Sequence, residues 1–376
     1  MKLRRGVDKS ARSARRKTGT RDAAAAHEEF TDDDSPSRAR MRRHAAAGAT
    51  FDELLAGGFG SLAEGEEGDE SVRANAAIVI SVSSGRARVF HENVEKDCLV
   101  PPEIATRQKS MLTVGDRVVI EPADGGNWRI RAVLPRRTVL ARPDPLNAHL
   151  QRLIAANVDV VVNVVSLKSP PLRPRLIDRY LIAIQRGGAQ PVIAVNKIDL
   201  VPAEERPREL AALAPYAALG VPIIGCSTES GEGIDVLRGT LEGRTATLVG
   251  HSGVGKSSIL NALDERLDIL TGGLHAKRGT GRHTTTSSTL HDLGGGTFVI
   301  DTPGIREFGL SSLTRETLRD YFPELDEASE LCRFNDCSHL HEPGCEVKER
   351  VETGAIHRAR YETYVRLSED LKEPGR

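Results

Sequence analysis

The chain of 376 residues carries 52 Lys and Arg against 53 Asp and Glu, a formal net charge of −1 at pH 7. That length has room for two or three domains with separate cores, and the charge balance excludes a nucleic-acid footprint spread over the whole surface. No apolar run reaches the roughly 18 residues a membrane helix needs, and the basic start lacks the apolar stretch of a secretory signal.

We therefore expect a cytoplasmic protein without a membrane partner, and nothing in the chain calls for more than a monomer. The charge is unevenly spread. Residues 1–21 hold nine basic side chains against one acid, Asp8, whereas residues 61–70 read SLAEGEEGDE. A basic arm followed by an acidic, glycine-bearing spacer buries too little apolar surface to fold, so residues 1–70 are expected to be a disordered tail. Composition suits an RNA-gripping arm and a merely solvated one equally.

Five short β-rich runs follow between residues 76 and 138: AIVISV, RARVF, DCLVP, DRVVIEP and NWRIRAVLP, parted by the turn signals SSG, TVGD and ADGG. Five strands in about 60 residues is the size of an OB-type barrel, a fold used on single-stranded nucleic acid, and residues 71–140 are assigned to it. Phe90 and Trp128 are the main aromatic candidates, too few to indicate base stacking. Arg86, Arg88, Arg129, Arg131, Arg136 and Arg137 suit phosphate contacts better, or else form a solvated basic edge.

Residues 141–312 alternate strands and helices. VDVVVNVVS, PVIAVN, VPIIGC, TATLVG and TFVID are β-branched runs, as expected for strands buried on both faces of a parallel sheet. LRPRLIDRYLIAIQRGG, between the first two, has helical spacing and ends in Gly, the crossover of a βαβ unit. After PVIAV comes NKID. The Asp199 carboxylate can accept hydrogen bonds from the ring NH and exocyclic amine of guanine; adenine lacks that pair, and an unpaired buried carboxylate is costly. Asn196 would hold the loop and the purine edge, and the Lys197 stem would cover a ring face. After VPIIG, the CST stretch with Cys226 and Ser227 could offer a backbone amide to the guanine oxygen.

After TATLV comes GHSGVGKSS, comprising Gly250, His251, Ser252, Gly253, Val254, Gly255, Lys256, Ser257 and Ser258. It matches the phosphate-loop pattern, follows a strand and precedes the helical run SSILNALDERL, the context the motif requires. Its glycines let backbone amides close around phosphates, and the helix N-terminus adds a favourable dipole. Lys256 would hold the outer phosphates and Ser257 would ligate magnesium. In VIDTPG, Asp301 ends a strand where it can hold the magnesium shell, and Gly304 can turn its amide to a terminal phosphate. GRHTTTSS, residues 281–288, lies where a switch segment belongs, with Thr285 placed to sense that phosphate through magnesium. Ile305 stands where many GTPases carry a water-orienting Gln; an aliphatic side chain cannot hydrogen-bond a water, so slow intrinsic turnover is expected.

Residues 313–376 are polar and helical around CRFNDCSHLHEPGC, residues 332–345. Three cysteines and a histidine at this density, in a chain with an odd cysteine total, read as a structural Cys₃His zinc site rather than a disulfide framework. Cys332, Cys337 and Cys345 supply the thiolates, while His339 and His341 compete for the fourth position. Helical spacing returns in 356–373, with Ile356, Tyr361, Tyr364 and Leu367 on one side.

In an ordinary G protein the phosphate loop precedes the base-reading loop, and here the order is reversed. The series NKID, CST, GHSGVGKSS, GRHTTT, DTPGIREFG and CRFNDCSHLHEPGC, behind a barrel, resembles the circularly permuted ribosome-associated GTPases of the RsgA (YjeQ) family over about residues 76–372. The resemblance implies a multidomain chain: an N-terminal OB-type β-barrel, a circularly permuted α/β P-loop GTPase domain and a mainly helical C-terminal zinc-binding domain. It implies GTP hydrolysis coupled to late maturation of the small ribosomal subunit, with that subunit and its rRNA as partners and turnover stimulated by the subunit. One structural zinc, and magnesium with GTP, are its implied cofactors. Carried over by position, Asn196 and Asp199 form the guanine site, Asp301 to Gly304 the second switch, and Cys332, Cys337, His339 and Cys345 the zinc ligands, leaving His341 beside them. His283 becomes the candidate for positioning the attacking water and, with Lys256 and Thr285, completes the expected catalytic set. Because DTPGIREFG runs straight into the C-terminal region, loss of one phosphate could swing that region against the barrel. Two other classes fit fewer residues: an RNA-binding scaffold with a vestigial nucleotide site, and a permuted GTPase acting on the large subunit.

Overall fold

In the computed structural model, the described residues are 54, 59–60, 70–107, 112–144, 147–267, 269, 288–302, 310 and 313–371. His283, Thr285, Gly304 and Ile305, and most of the expected tail, lie outside them.

The first sheet is a barrel. Strands β2 (Ala77–Ser83), β3 (Arg86–His91), β4 (Val94–Leu99), β5 (Arg117–Pro122) and β6 (Trp128–Val133) pair in the order β2-β3-β4-β6-β5, and β5 returns to β2 to close it. All pairs are antiparallel except β4 with β6, where Cys98 faces Trp128 and Leu99 faces Arg129. Closure removes sheet edges that would otherwise invite aggregation. A short strand, β1 (Phe59–Gly60), lies on β6 opposite Val133 and Ala132, so contact with the barrel begins upstream of residue 71. The interior is filled by Val79, Val89, Cys98, Val118, Ile130 and Val133, with Ile104 from the helix Pro102–Arg107 packed among them.

One strand boundary differs from the sequence expectation. DCLVP was expected as a strand, yet β4 starts at Val94 and stops at Leu99. Glu92 and Asn93 both have positive φ (53° and 62°), the turn of a two-residue hairpin that pairs His91 with Val94 and fixes the register. A second correction concerns Arg136. Its guanidinium is buried, donating to both carboxylate oxygens of Asp116 at 2.7 and 2.9 Å and to the Leu54 carbonyl at 3.0 Å, so it is no surface contact for RNA.

A hairpin of β7 (Val139–Asp144) and β8 (Asn147–Ala156) leads into the second large sheet. Its strands are β9 (Val160–Ser166), β10 (Gln190–Asn196), β11 (Ile223–Gly225), β12 (Thr245–Val249), β13 (Thr289–Gly294) and β14 (Thr297–Asp301), in the order β11-β10-β9-β12-β14-β13. All neighbours run parallel except β13. Every residue of β9 and β12 is buried, which accounts for their unbroken apolar character. The helix Pro174–Arg186 covers one face with Ile177, Tyr180, Leu181 and Ile184; the helices Ile234–Leu241 and Lys256–Leu263 cover the other. Parallel strands bring the ends of β9, β10, β12 and β14 to one rim, where ligands of open α/β sheets bind.

The C-terminal residues form four helices, Arg315–Arg319, Pro323–Ser329, Glu346–Glu352 and Arg358–Asp370, around Phe322, Leu325, Val347, Tyr364 and Leu367. Ile182 of the sheet-covering helix joins this core. Among the described residues, no helix is long and apolar enough to cross a membrane.

Candidate nucleotide site and metal centre

The phosphate-loop stretch leaves β12 at Gly250 and enters the helix at Lys256. Two of its glycines are demanded by sterics. Gly250 has φ +142°, and a Cβ there would lie 2.3 Å from the Val164 carbonyl oxygen of the neighbouring strand. Gly255 has φ +95°, and its Cβ would lie 2.3 Å from the amide nitrogen of Asn196. Val254 is buried and pins the loop from below. The Lys256 ammonium donates to the carbonyls of Gly250 and His251 at 2.8 and 3.0 Å, within the loop it closes. Ser257 and Ser258 open the helix, half-buried beside it, and Ser252 and Gly253 are exposed at the loop's crest.

The NKID stretch meets this loop directly. Asn196, buried at the end of β10, donates its side-chain amide to the Val254 carbonyl at 2.9 Å across 58 residues of sequence. Lys197 sits in the left-handed region at φ +61°, and its ammonium bridges the carbonyls of Ser169 and Gly253, both at 2.7 Å. One side chain thus ties the ends of β9, β10 and β12 together. Asp199 is exposed and accepts the Ser227 hydroxyl at 2.5 Å.

Two of the three CST amides are engaged within the fold. The Cys226 amide donates to Val195 at 2.8 Å and the Ser227 amide to Glu232 at 2.8 Å, so both are committed within the fold. Burial pushes the Cys226 thiol up to about 11, which makes it a packing group. What reaches the base loop is the Ser227 hydroxyl, which also accepts the amides of Glu229 and Ser230 and is thereby aimed at Asp199. Sequence reasoning missed this role; the signal was a serine one residue past a strand end.

Asp301 ends β14, level with Thr289 of β13. Burial raises its carboxyl above the ordinary range, opposed by the nearby His291 and Lys256. Lys256, at the start of the helix that follows β12, and Asp301, at the end of the neighbouring β14, are thus near enough to feel each other's charge, as a magnesium–phosphate site requires. His251 of the loop also contacts Arg173 at 3.4 Å, at the start of the helix Pro174–Arg186. No motif pointed to that pair.

In the C-terminal region the ligand atoms of Cys332, Cys337, His339 and Cys345 all lie within 4.8 Å of one another. Nδ1 of His339 is 3.6 Å from the sulfurs of both Cys332 and Cys345, and those sulfurs are 3.9 Å apart. Zinc–sulfur bonds of about 2.3 Å in a tetrahedron place sulfurs about 3.8 Å apart, so the donors fit zinc. Of the two candidate histidines it is His339 that turns inward; His341 is exposed. The turn is held by Glu342, whose carboxylate accepts the Ser338 hydroxyl and the amides of Ser338, Leu340 and His341. Although burial opposes it, these bonds hold the Glu342 carboxyl down at about 2. Burial pushes the Cys337 thiol up to about 12, and a cation among the sulfurs would reverse that preference.

The comparisons agree with this geometry. A sequence model of the RsgA GTPase family matches residues 133–311. A Gemmatimonas aurantiaca protein named small ribosomal subunit biogenesis GTPase RsgA is 40% identical over 262 residues, 69% of this chain and 84% of that protein. A Chlorobaculum parvum protein of the same name is 41% identical over 285 residues, 73% of this chain and 90% of its own. Among solved structures, YjeQ from Thermotoga maritima superposes with a TM-score of 0.65 and 32% identity, covering 80% of this chain and 99% of its own. YloQ, described as a circularly permuted GTPase, gives 0.61 and 27%, covering 80% and 96%. Barrel, reversed loops and trailing Cys/His cluster thus occur together in one chain, and the chain belongs to the RsgA GTPase family.

Proposed function

We propose that the protein hydrolyses GTP on the small ribosomal subunit during its late maturation, and that the subunit stimulates turnover. The observation that carries the reading is the Asn196–Val254 hydrogen bond, which joins the base-reading and phosphate loops into one site despite their reversed order. Asp199, aimed by Ser227, selects guanine; Lys197 braces the loop; the amides of Gly250 to Ser258 and the Lys256 ammonium hold the phosphates. Ser257 and Asp301 would hold magnesium, which when bound supplies positive charge to the phosphate oxygens. His283, Thr285 and Gly304 keep their assigned parts, from sequence, as water-positioning residue, magnesium ligand and phosphate sensor. Cys332, Cys337, His339 and Cys345 would hold one structural zinc, with no open position for catalysis. The division into 71–140, 141–312 and 313–376 goes with this reading, the first and last parts contacting rRNA.

The test is GTP turnover measured alone, with small subunits and with large subunits, using intact and zinc-stripped protein. We expect slow turnover alone, at least about tenfold stimulation by small subunits in line with activation in trans, and its loss on zinc removal. Equal stimulation by large subunits, or none by either, would overturn the assignment.

A further inference from the structure

A pocket of about 400 Å³ opens where the barrel meets the hairpin, lined by Arg73, Arg117 and Arg137 together with Glu70, Leu134 and Pro135. The three guanidinium groups are unequally served. Arg137 donates to Asp159 at 3.2 Å, but the second oxygen of that carboxylate is held by the Thr245 amide at 2.9 Å. Arg73 donates to the Pro135 carbonyl at 3.3 Å, a partner that carries no charge. Arg117, half-buried on β5, has no hydrogen-bonded acceptor for its guanidinium among the described residues. Burial and the neighbouring Arg137 both disfavour its charge, and Asp159 offsets them only in part. Among the described residues, Asp159 is thus the one carboxylate hydrogen-bonded to any of the three cations, and Arg117 feels it only at a distance.

We propose that this pocket takes a phosphate group of a nucleic-acid backbone, with Arg117 as the central donor. The planar guanidinium fork pairs two-to-two with phosphate oxygens, and a half-buried site strengthens the pairing. None of the described residues lining the pocket is aromatic, so none of them stacks a base, and the contact reads charge rather than sequence. The inference deepens, and rests on, the RNA-directed reading given above. It adds an anchor at the seam between the barrel and the hairpin, away from the solvated arginines Arg86 and Arg88.

The experiment is fluorescence anisotropy of the full chain, loaded with a non-hydrolysable GTP analogue, against two labelled short RNAs of unrelated sequence over a salt series. Arg117→Gln is expected to weaken both RNAs alike, about tenfold, and to lower the slope of log Kd against log salt by about one. Arg117→Lys should restore the slope and only part of the affinity, because it keeps the charge and loses the fork. Arg137→Gln reads the same slope should Arg117→Gln fail to fold. Unchanged affinity and slope would overturn the proposal, as would weakening confined to one RNA. Loss of inorganic pyrophosphate binding with RNA binding intact would also overturn it, in favour of a small phosphate compound. RNA binding is read here without hydrolysis, so a failure of the GTPase reading would show separately in the turnover assay.

Discussion

The central sheet has neighbours on two sides, and the two seams are built from different chemistry. Towards the barrel, Ile78 and Ile80 pack with Leu290, Phe298 and Ile300, and the rings of Phe90 and Phe298 meet edge to face at 5.6 Å. Towards the C-terminal region, the helix Pro174–Arg186 presents the buried Asp178, whose carboxylate accepts Nη1 of Arg360 at 2.8 Å. Arg360 also donates to both oxygens of Glu324, at 2.6 and 3.2 Å, and lies 4.3 Å from the centre of the Phe322 ring. Apolar packing is non-directional, whereas a buried ion network has one good geometry and penalises any departure from it. The Cys/His region is therefore referenced to a particular helix, the one whose N-terminal Arg173 touches His251 of the phosphate loop. A nucleotide-driven swing of that region must carry this helix along or break the Asp178–Arg360 pair.

Metal removal should affect the two seams most unequally. Chelation would leave Cys332, Cys337 and Cys345 without the zinc proposed for them, and structural zinc contributes on the order of 10 kcal/mol in isolated zinc modules. We expect hydrogen exchange to accelerate through residues 332–367 and to stay unchanged in β2–β6; equal acceleration in both would erase the distinction.

Arg360→Leu comes next. It strands two carboxylates, one of them fully buried, and should cost about 3–5 kcal/mol in denaturant unfolding. Pairing it with Asp178→Leu should recover part of that loss, and a strictly additive double variant would mean that the two side chains do not act as a pair. Phe90→Ala on the apolar seam is milder, because Phe90 is only half-buried: about 1–2 kcal/mol. A cost equal to that of Arg360→Leu would contradict the comparison.

Much of this was legible in the chain because chemistry and local context coincided. Val160–Ser166 and Thr245–Val249 announce buried parallel strands by β-branched runs, and Gly250 to Ser257 announce a phosphate loop by spacing. The hairpin strand Asn147–Ala156, NAHLQRLIAA, was not legible, since its Ala, Leu and Gln content favours helix and only its partner strand makes it extended. Nor was β13, whose TLHDLG lacks a strand pattern and is held by β14. Within the site, Asp199 was visible but its Ser227 brace was not, because that contact spans 28 residues and depends on the turn after β11. Spacing alone left His339 and His341 level and only the family likeness pointed to His339; the fold supplies the physical reason, since His339 takes φ +63° in a turn organised by Glu342.

The smallest effect concerns pH. Burial lifts the Asp301 carboxyl above its usual value of 3.8. For an acid raised in the folded state the proton is held more tightly when folded, so acidification through this group favours the nucleotide-free fold and opposes magnesium binding. Magnesium-dependent GTP affinity should therefore begin to fall on acidification at a higher pH than an ordinary aspartate would set, while stability without nucleotide should not fall through this group. In Asp301→Asn the acid limb should vanish together with the magnesium dependence, as read by nucleotide titrations with and without magnesium; retention of both would remove Asp301 from the site.

The most direct measurement is calorimetric titration of the protein, with magnesium present, against GTP, ATP and xanthosine triphosphate, before and after Asp199→Asn. If NKID and GHSGVGKSS converge on one nucleotide, the native chain should bind GTP at least about a hundredfold more tightly than ATP, as expected when a site's polar groups would otherwise go unpaired. Asp199→Asn should lose GTP and gain the xanthosine nucleotide, whose carbonyl can accept from the new amide. Equal affinity for GTP and ATP in the native chain, or a variant that still prefers GTP, would contradict the account.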